Sequence, residues 1–238
     1  MWKAWRETFE GRRTRSLPAM VGLDAIPLAL RPILASSLAR FQAGETGEGR
    51  VVNQVRKSAL PGIDEDYCEA VRLFVAEEGR HARILGTAIR ALDGEPAEKA
   101  WTEKVFRFGR RAVGVRTKLL VLWSAEIAAI AGYRTLASRL PPCGLRNALD
   151  ELSSDEADHL AFHTDFFRGL AGDPLARATL RAALTGAVIA AGLVLWWDHR
   201  ALWAAIGVTG SDLTTALQDA LVPTLASLEP GAPRALAA

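Results

Sequence analysis

Apolar residues along this chain recur every three to four positions and rarely alternate, so the pattern predicts helices throughout and no strands. A first stripe runs from about Ile26 to Ala59 through Leu34, Leu38, Phe41, Val52 and Val55, and stops at Leu60-Pro61-Gly62. Asp64 can then cap a second helix, which carries Val71, Phe74, Val75, Leu85 and Ile89 to Leu92 and ends at Asp93-Gly94-Glu95-Pro96. A third begins near Trp101, is interrupted around Gly109 to Gly114, and continues through Leu119, Leu122, Ile130 and Leu136 to Pro141-Pro142-Cys143-Gly144. The fourth spans about Leu145 to Leu170 and closes at Gly172-Asp173-Pro174. A very apolar fifth helix starts near Leu175, and a shorter one follows Ser211 ahead of a Pro/Gly/Ala tail.

Four long helices in two hairpins, each with a short Pro/Gly turn, predict an all-α four-helix bundle with additional C-terminal helices. The expected organisation is a basic, aromatic segment over 1–25 and a single helical domain over 26–238. Its core bundle would occupy about 26–172 and its apolar C-terminal helices about 175–225. The link from Leu92 to Trp101 is too short to cross a bundle, so Trp101 to Gly114 is expected to help make the crossing.

Composition narrows the class. Half the residues are hydrophobic and 24% are charged, which excludes a disordered chain. Two cysteines exclude a disulfide scaffold and fit a reducing, cytoplasmic setting. A net charge of +2 from scattered arginines suggests no nucleic-acid surface. Neither βαβ alternation nor a Gly-rich phosphate loop is present, so Rossmann and P-loop readings drop out. The N-terminus carries Trp2, Trp5 and Phe9 but lacks the apolar run of a secretory signal. The longest charge-free stretch, Ala182 to Trp197, falls short of the roughly 18 residues a membrane span needs and is expected to be a buried helix.

Two Glu-x-x-His pairs carry the chemistry: Glu78-Gly79-Arg80-His81 and Glu156-Ala157-Asp158-His159. With 15 Glu and 4 His in the chain, random placement gives well under one such pair. Both pairs sit on inward stripes, so each can offer a carboxylate and an imidazole from one helix face. The partner helix of each hairpin adds an acid. Glu126 has no other charge from Val121 to Gly132 and needs a cation or proton partner in such surroundings. In the first helix Glu45 and Glu48 both lie on the stripe. Glu45 and Glu78 are centred on Pro61-Gly62 at the turn, whereas Glu48 is centred off it, which favours Glu45. Glu126 and Glu156 are centred on Pro141. Four carboxylates and two imidazoles would then converge in the bundle core.

Other readings exist for each. Ser153-x-x-Glu156 could be a capping box, Glu77 and Glu78 with Arg80 and Arg83 a solvated charged face, and Glu126 an acid salt-bridged to an arginine. His163, one turn past His159, reads as a supporting group, an extra ligand or a hydrogen-bonded core histidine. His199 is expected at the end of the apolar helix rather than on a metal. Tyr133 shares the face of Glu126 and could shuttle protons or electrons, against the alternative of a packed tyrosine with a satisfied hydroxyl. Gly44, Gly47, Gly49, Gly79 and Gly132 beside these acids imply close packing, helix distortion, or room for oxygen and substrate.

Paired Glu-x-x-His motifs, each with an acid from the neighbouring helix, resemble the ferritin-like di-iron carboxylate superfamily over about Phe41 to Phe167. The resemblance implies two iron ions, Fe–Fe or Mn–Fe, held by Glu45, Glu78, His81, Glu126, Glu156 and His159, with Glu78 and Glu156 bridging. Four carboxylates would balance two divalent cations, and oxygen-rich ligands with imidazoles suit iron or manganese better than copper or zinc. The stretch Glu126-Ile-Ala-Ala-Ile-Ala-Gly-Tyr133 and the run Asp155-Glu-Ala-Asp-His-Leu160 are similar to the O2-activating branch: aldehyde-deformylating oxygenases, acyl-carrier desaturases and arylamine N-oxygenases. Leu152 stands where the last of these usually carries a further histidine. The apolar extension is foreign to storage ferritins and bacterioferritins, and the Cys-rich module of rubrerythrins is absent. Leu85 stands where ribonucleotide reductase small subunits place a radical tyrosine.

The implied activity is oxidation of a small, largely apolar organic substrate with O2 as co-substrate, shielded by walls such as Phe41, Trp123 and the Ala182–Trp197 helix. Tyr133 is the catalytic candidate. An external electron donor, a ferredoxin or reductase, is implied because the chain has no flavin or nicotinamide motif. The alternatives are a ferroxidase or metal-handling protein without organic substrate, and a catalytically silent bundle. A homodimer is the assembly to consider.

Overall fold

The computed structural model describes residues 1–46, 49–96 and 114–233, and among these the regular structure is helical, as the pattern predicts. In chain order the helices are α1 (Trp2–Arg12), α2 (Arg31–Glu45), α3 (Gly49–Arg56), α4 (Glu65–Ala91), α5 (Val115–Arg139), α6 (Gly144–Leu170), α7 (Pro174–Asp198), α8 (Arg200–Ala205) and α9 (Gly210–Ala226), with a 3-10 turn at Leu23–Ala25. Two hairpins make the bundle: α2 and α3 lie against α4, α5 lies against α6, and α4 meets α6 between them. Helix α1 packs on α4, while α7 and α9 cover α5. Asp64 caps α4 by accepting from the Tyr67 N–H at 2.7 Å, with Glu65 and Asp66 in the first turn where the helix dipole favours acids.

Two expectations need correction. The first stripe is not one helix from Ile26 to Ala59. Helix α2 starts at Arg31 and ends at Glu45, Thr46 is extended (φ −95°, ψ 135°), and the chain resumes as α3 at Gly49. A Cβ at Gly44 or Gly49 would meet nothing within 4 Å, so close packing does not explain these glycines. They lower helix propensity where the helix breaks. Nor is the apolar fifth helix buried all round. Leu180, Leu184, Val188 and Leu195 of α7 face the core, but Ile189, Leu193 and Trp197 are 59%, 65% and 57% exposed. By length and composition α5 and α7 could each cross a membrane; α5 is largely buried in the bundle and α7 mostly is not. The start of the third helix near Trp101, and the crossing expected up to Gly114, fall outside the described residues apart from Gly114, which precedes α5.

The N-terminal segment is part of the core. Trp2, Trp5 and Phe9 of α1 are buried, with the Trp2 ring 4.7 Å from Tyr67 and the Phe9 ring 5.5 Å from Phe162, both edge-on. Two apolar clusters result, and a polar layer separates them. Along α4, Val71 and Phe74 belong to one cluster and Leu85 and Ile89 to the other, with Glu78 and His81 between. Helix α6 repeats this in reverse: Leu149 and Leu152, then Glu156 and His159, then Phe162 and Phe166.

The segment joining α1 to the bundle is seated on the start of α6. Gly144 N–H donates to Val21 O at 2.7 Å, and a Cβ at Gly144 would lie 2.2 Å from Ala19 O and 2.6 Å from Val21 N. Gly144→Ala must therefore displace this strap and is expected to cost about 1–3 kcal/mol in chemical denaturation. Gly169→Ala, also in α6 but with open space around it, is expected to stabilise by about 0.5–1 kcal/mol.

Candidate metal centre

Helices α4 and α6 each project one Glu-x-x-His pair into the polar layer. Glu78, His81, Glu156 and His159 are buried, and each presents one donor atom within 4.8 Å of the others. Glu156 lies between the two rings, with Oε1 3.0 Å from His81 Nδ1 and Oε2 3.0 Å from His159 Nδ1. Glu78 Oε1 also faces both, at 3.8 and 2.9 Å. The two single acids flank this core. Glu45 Oε2 is 3.9 Å from His81 Nδ1, and Glu126 Oε2 is 4.0 Å from His159 Nδ1. All six residues singled out from the sequence are thus brought together; Glu48, the alternative to Glu45, lies outside the described residues.

The far nitrogens of both rings are anchored by acids that the sequence reading passed over. His81 Nε2–H donates to Asp155 Oδ2 at 3.4 Å, and His159 Nε2–H donates to Glu77 Oε2 at 3.0 Å. The arrangement is crossed, since each acid immediately precedes the Glu of one pair yet holds the histidine of the other. Burial works against ionising Asp155, but His81 and Arg15 outweigh it and bring its carboxyl to about 2. Burial likewise opposes Glu77, and His159 draws it below the usual range. Ionised carboxylates only accept, so the imidazoles donate from Nε2 and turn Nδ1 toward the central carboxylates.

The end of helix α1 and the residues just after it supply the counter-charge. Arg15 Nη2 lies 2.6 Å from Asp155 and 3.1 Å from Glu77, while Arg12 Nη1 lies 3.4 Å and 3.6 Å from the same two acids. The available signal was the acid directly before each Glu, at 77 and 155; no local pattern announces Arg12 or Arg15, which lie some 140 residues from Asp155.

The bland readings of the cluster do not hold. Ser153 is inside α6 and donates to Leu149 O at 2.8 Å, so it caps nothing. Glu77, Glu78 and Arg80 are buried rather than a solvated face. Among the described residues the ionic neighbours of Glu126 are His159 and His163, not an arginine. Tyr133 donates its hydroxyl to Glu45 Oε1, and its ring packs on Phe41 with centroids 5.0 Å apart. His199 ends α7, is hydrogen-bonded to Ser37 through Nδ1, and is held neutral by burial with a pKa of about 3.

The donor set fits a divalent cation. Glu78 Oε1, Glu156 Oε1 and His81 Nδ1 are buried without a hydrogen-bond partner among the described residues. Burial, then the charges of Glu78 and Glu156, pushes Glu45 well above the carboxylate range, and the same causes act on Glu126. Burial opposes a charge on His81, but Glu156 and Asp155 raise it to about 9. A cluster that must gather protons to balance its carboxylates is one in which a metal ion can replace them.

A cavity of about 220 Å³ adjoins the centre, lined by Glu45, Glu78, Glu126 and Glu156 at one side and by α2, α5 and α7 elsewhere. Phe41, Ala129, Val194 and Leu195 contribute apolar wall, and the exposed Arg40 and Ala125 open it to solvent. Gly132 lets these helices close up, because a Cβ there would lie 3.0 Å from the Phe41 ring and 3.2 Å from Leu195. Phe41 and the apolar helix thus line the cavity as expected. Trp123 does not; it stacks on Phe167 at 4.7 Å and donates to Thr164 at 2.9 Å. Family models, curated proteins and solved structures give no match to this chain.

Metal uptake must displace the protons these groups hold. Affinity for Mn(II) or Co(II) is expected to rise with pH through the deprotonation of His81 near 9 and of His159, which its carboxylate neighbours, against burial, also hold well above the ordinary imidazole range. Titration calorimetry in buffers of different ionisation enthalpy is expected to show proton release on binding at pH 7, and Glu156→Ala is expected to abolish tight binding.

Proposed function

We propose that this chain is a di-metal carboxylate protein of the ferritin-like kind that uses two iron ions and O2 to oxidise a small, largely apolar organic substrate. Mn–Fe is the variant composition. The observation that carries the reading is the junction of the acidic centre with an apolar cavity of about 220 Å³, room for a compact organic molecule directly against Glu45, Glu78, Glu126 and Glu156. Support for two ions comes from the arrangement of donors. Glu45 with His81 and Glu126 with His159 form two flanks, and Glu78 and Glu156 face both. Four carboxylates balance two divalent cations, and an oxygen-rich set with Nδ1 donors suits iron or manganese.

Once bound, the iron pair would supply the two-electron chemistry that side chains lack. The residues supply the rest. Glu78 and Glu156 would hold both ions, while Asp155 and Glu77 fix the two rings through Nε2–H. The apolar wall would limit water beside the acids and orient the substrate toward them. Tyr133 lines the cavity and donates to Glu45, so its hydroxyl can hold or pass a proton at Glu45 Oε1. Electrons would come from an external donor such as a ferredoxin or reductase, and the two free thiols, Cys68 and Cys143, suit a cytoplasmic setting.

Anaerobic Fe(II) loading followed by O2 is expected to give about two irons per chain, a transient visible band and O2 uptake, all lost in Glu126→Ala. Ala129→Phe, which fills the cavity from its apolar wall without replacing a carboxylate or imidazole, is expected to keep iron content and iron oxidation while suppressing oxidation of added aldehyde, amine or acyl substrates. Iron oxidation indifferent to Ala129→Phe and to every added organic compound would replace this reading with a ferroxidase. Less than one metal per chain with no O2 uptake would remove it altogether.

A further inference from the structure

We infer that His163 is a third imidazole ligand of the centre, on the flank held by Glu126 and His159. The inference rests on the di-metal reading above and adds a donor to it.

His163 lies one turn after His159 on α6, so both rings project from the same helix face. It is fully buried, and neither Nδ1 nor Nε2 has a hydrogen-bond partner among the described residues. Its Nε2 is 3.7 Å from Glu126 Oε1, whose other oxygen faces His159 Nδ1 at 4.0 Å. Donors about 2.1 Å from one ion lie about 3 Å apart at right angles and about 4.2 Å apart across it, so this spacing suits two ligands of a single metal. Phe74 and Phe162 wall the ring at centroid distances of 5.1 and 5.4 Å and offer no acceptor.

Where the chain buries a histidine for structure it pairs a ring nitrogen with a neutral partner, as at His199 Nδ1 with Ser37. Where it uses a histidine at the centre it anchors one nitrogen and leaves the other facing carboxylates, as at His81. An imidazole with neither nitrogen paired costs stability in a closed apolar site, and the neighbouring Glu126 shows what a lone pair there could serve. The two flanks would then be unequal: one imidazole with Glu45, two with Glu126.

Co(II)-loaded protein tests this without turnover. Proton NMR is expected to show three exchangeable, hyperfine-shifted imidazole N–H signals in the wild type and two in His163→Leu. Calorimetry is expected to show one of two Co(II) sites weakened at least about tenfold in the variant. The metal-free variant is expected to melt no lower than wild type, because it loses an unpartnered polar group; a histidine kept for packing would give a lower melting temperature and unchanged Co(II) binding. His163→Gln provides the same readouts should the leucine variant fail to fold. Two signals in the wild type with unchanged binding in the variants would overturn the third ligand and leave the di-metal reading standing. A wild type that takes up no Co(II) would overturn both.

Discussion

Four carboxylates inside an apolar helix bundle set the terms for everything around them. An unpaired buried charge costs several kcal/mol, so each must find a proton, a cation or a donor. The structure answers in layers. Glu78 and Glu156 face two imidazoles, the imidazoles are held from behind by Asp155 and Glu77, and those acids face Arg12 and Arg15. Sign alternates outward from the centre, and each layer makes the next one affordable. The outermost layer comes from α1 and the residue run after it, so the N-terminal segment belongs to the chemistry as well as to the packing.

The apolar residues are arranged to make that centre stiff. Helices α4, α5 and α6 pass from one hydrophobic cluster to the other, and the acids and imidazoles they bring to the centre sit where they cross the polar layer, with Glu45 joining from the end of α2. Aromatic packing is concentrated on one side, with Phe9 and Phe74 set edge-on to the His159 ring at 5.7 and 4.7 Å. Such contacts fix the plane of the imidazole, while Glu77 fixes its nitrogen. Rigid side chains matter here because a cation needs its donors within a few tenths of an ångström of their places.

Much of this was legible in the sequence because helical geometry converts spacing into position. Glu-x-x-His on an apolar stripe places both groups inward, and the hairpin midpoints place Glu45 opposite Glu78 and Glu126 opposite Glu156. What the spacing could not carry was contact across the fold. Asp155 and Glu77 sit beside the candidate ligands Glu156 and Glu78, yet their crossed pairing depends on how α4 meets α6. Arg12 and Arg15 belong to a segment that reads only as basic and aromatic. The break between α2 and α3 is hidden in the sequence because the apolar stripe continues through it; Gly44 and Gly49 fit distortion and close packing equally well as letters, and only the open space around them separates the two.

The cavity is a matter of missing volume rather than of special residues. Helix α5 presents Ala125, Ala128 and Ala129 where α7 brings Ala191 and Val194. Larger aliphatic residues at these positions would fill the space, and each buried methylene is worth about 0.8 kcal/mol. Stability alone therefore favours closing it. Gly132 acts in the opposite sense on the same helix, removing a side chain so that Phe41 and Leu195 can approach within about 3 Å of where a Cβ would stand. Small residues thus open α5 at one level and seal it one turn on. Helix α7 contributes an inward row that lines the space and an outward row, Ile189, Leu193 and Trp197, that stays more than half exposed even with Arg200 set over the Trp197 ring. An apolar helix with one face on a cavity and the other uncovered gains less from burial than its composition offers. The space it encloses against the acids is what its placement on α5 secures.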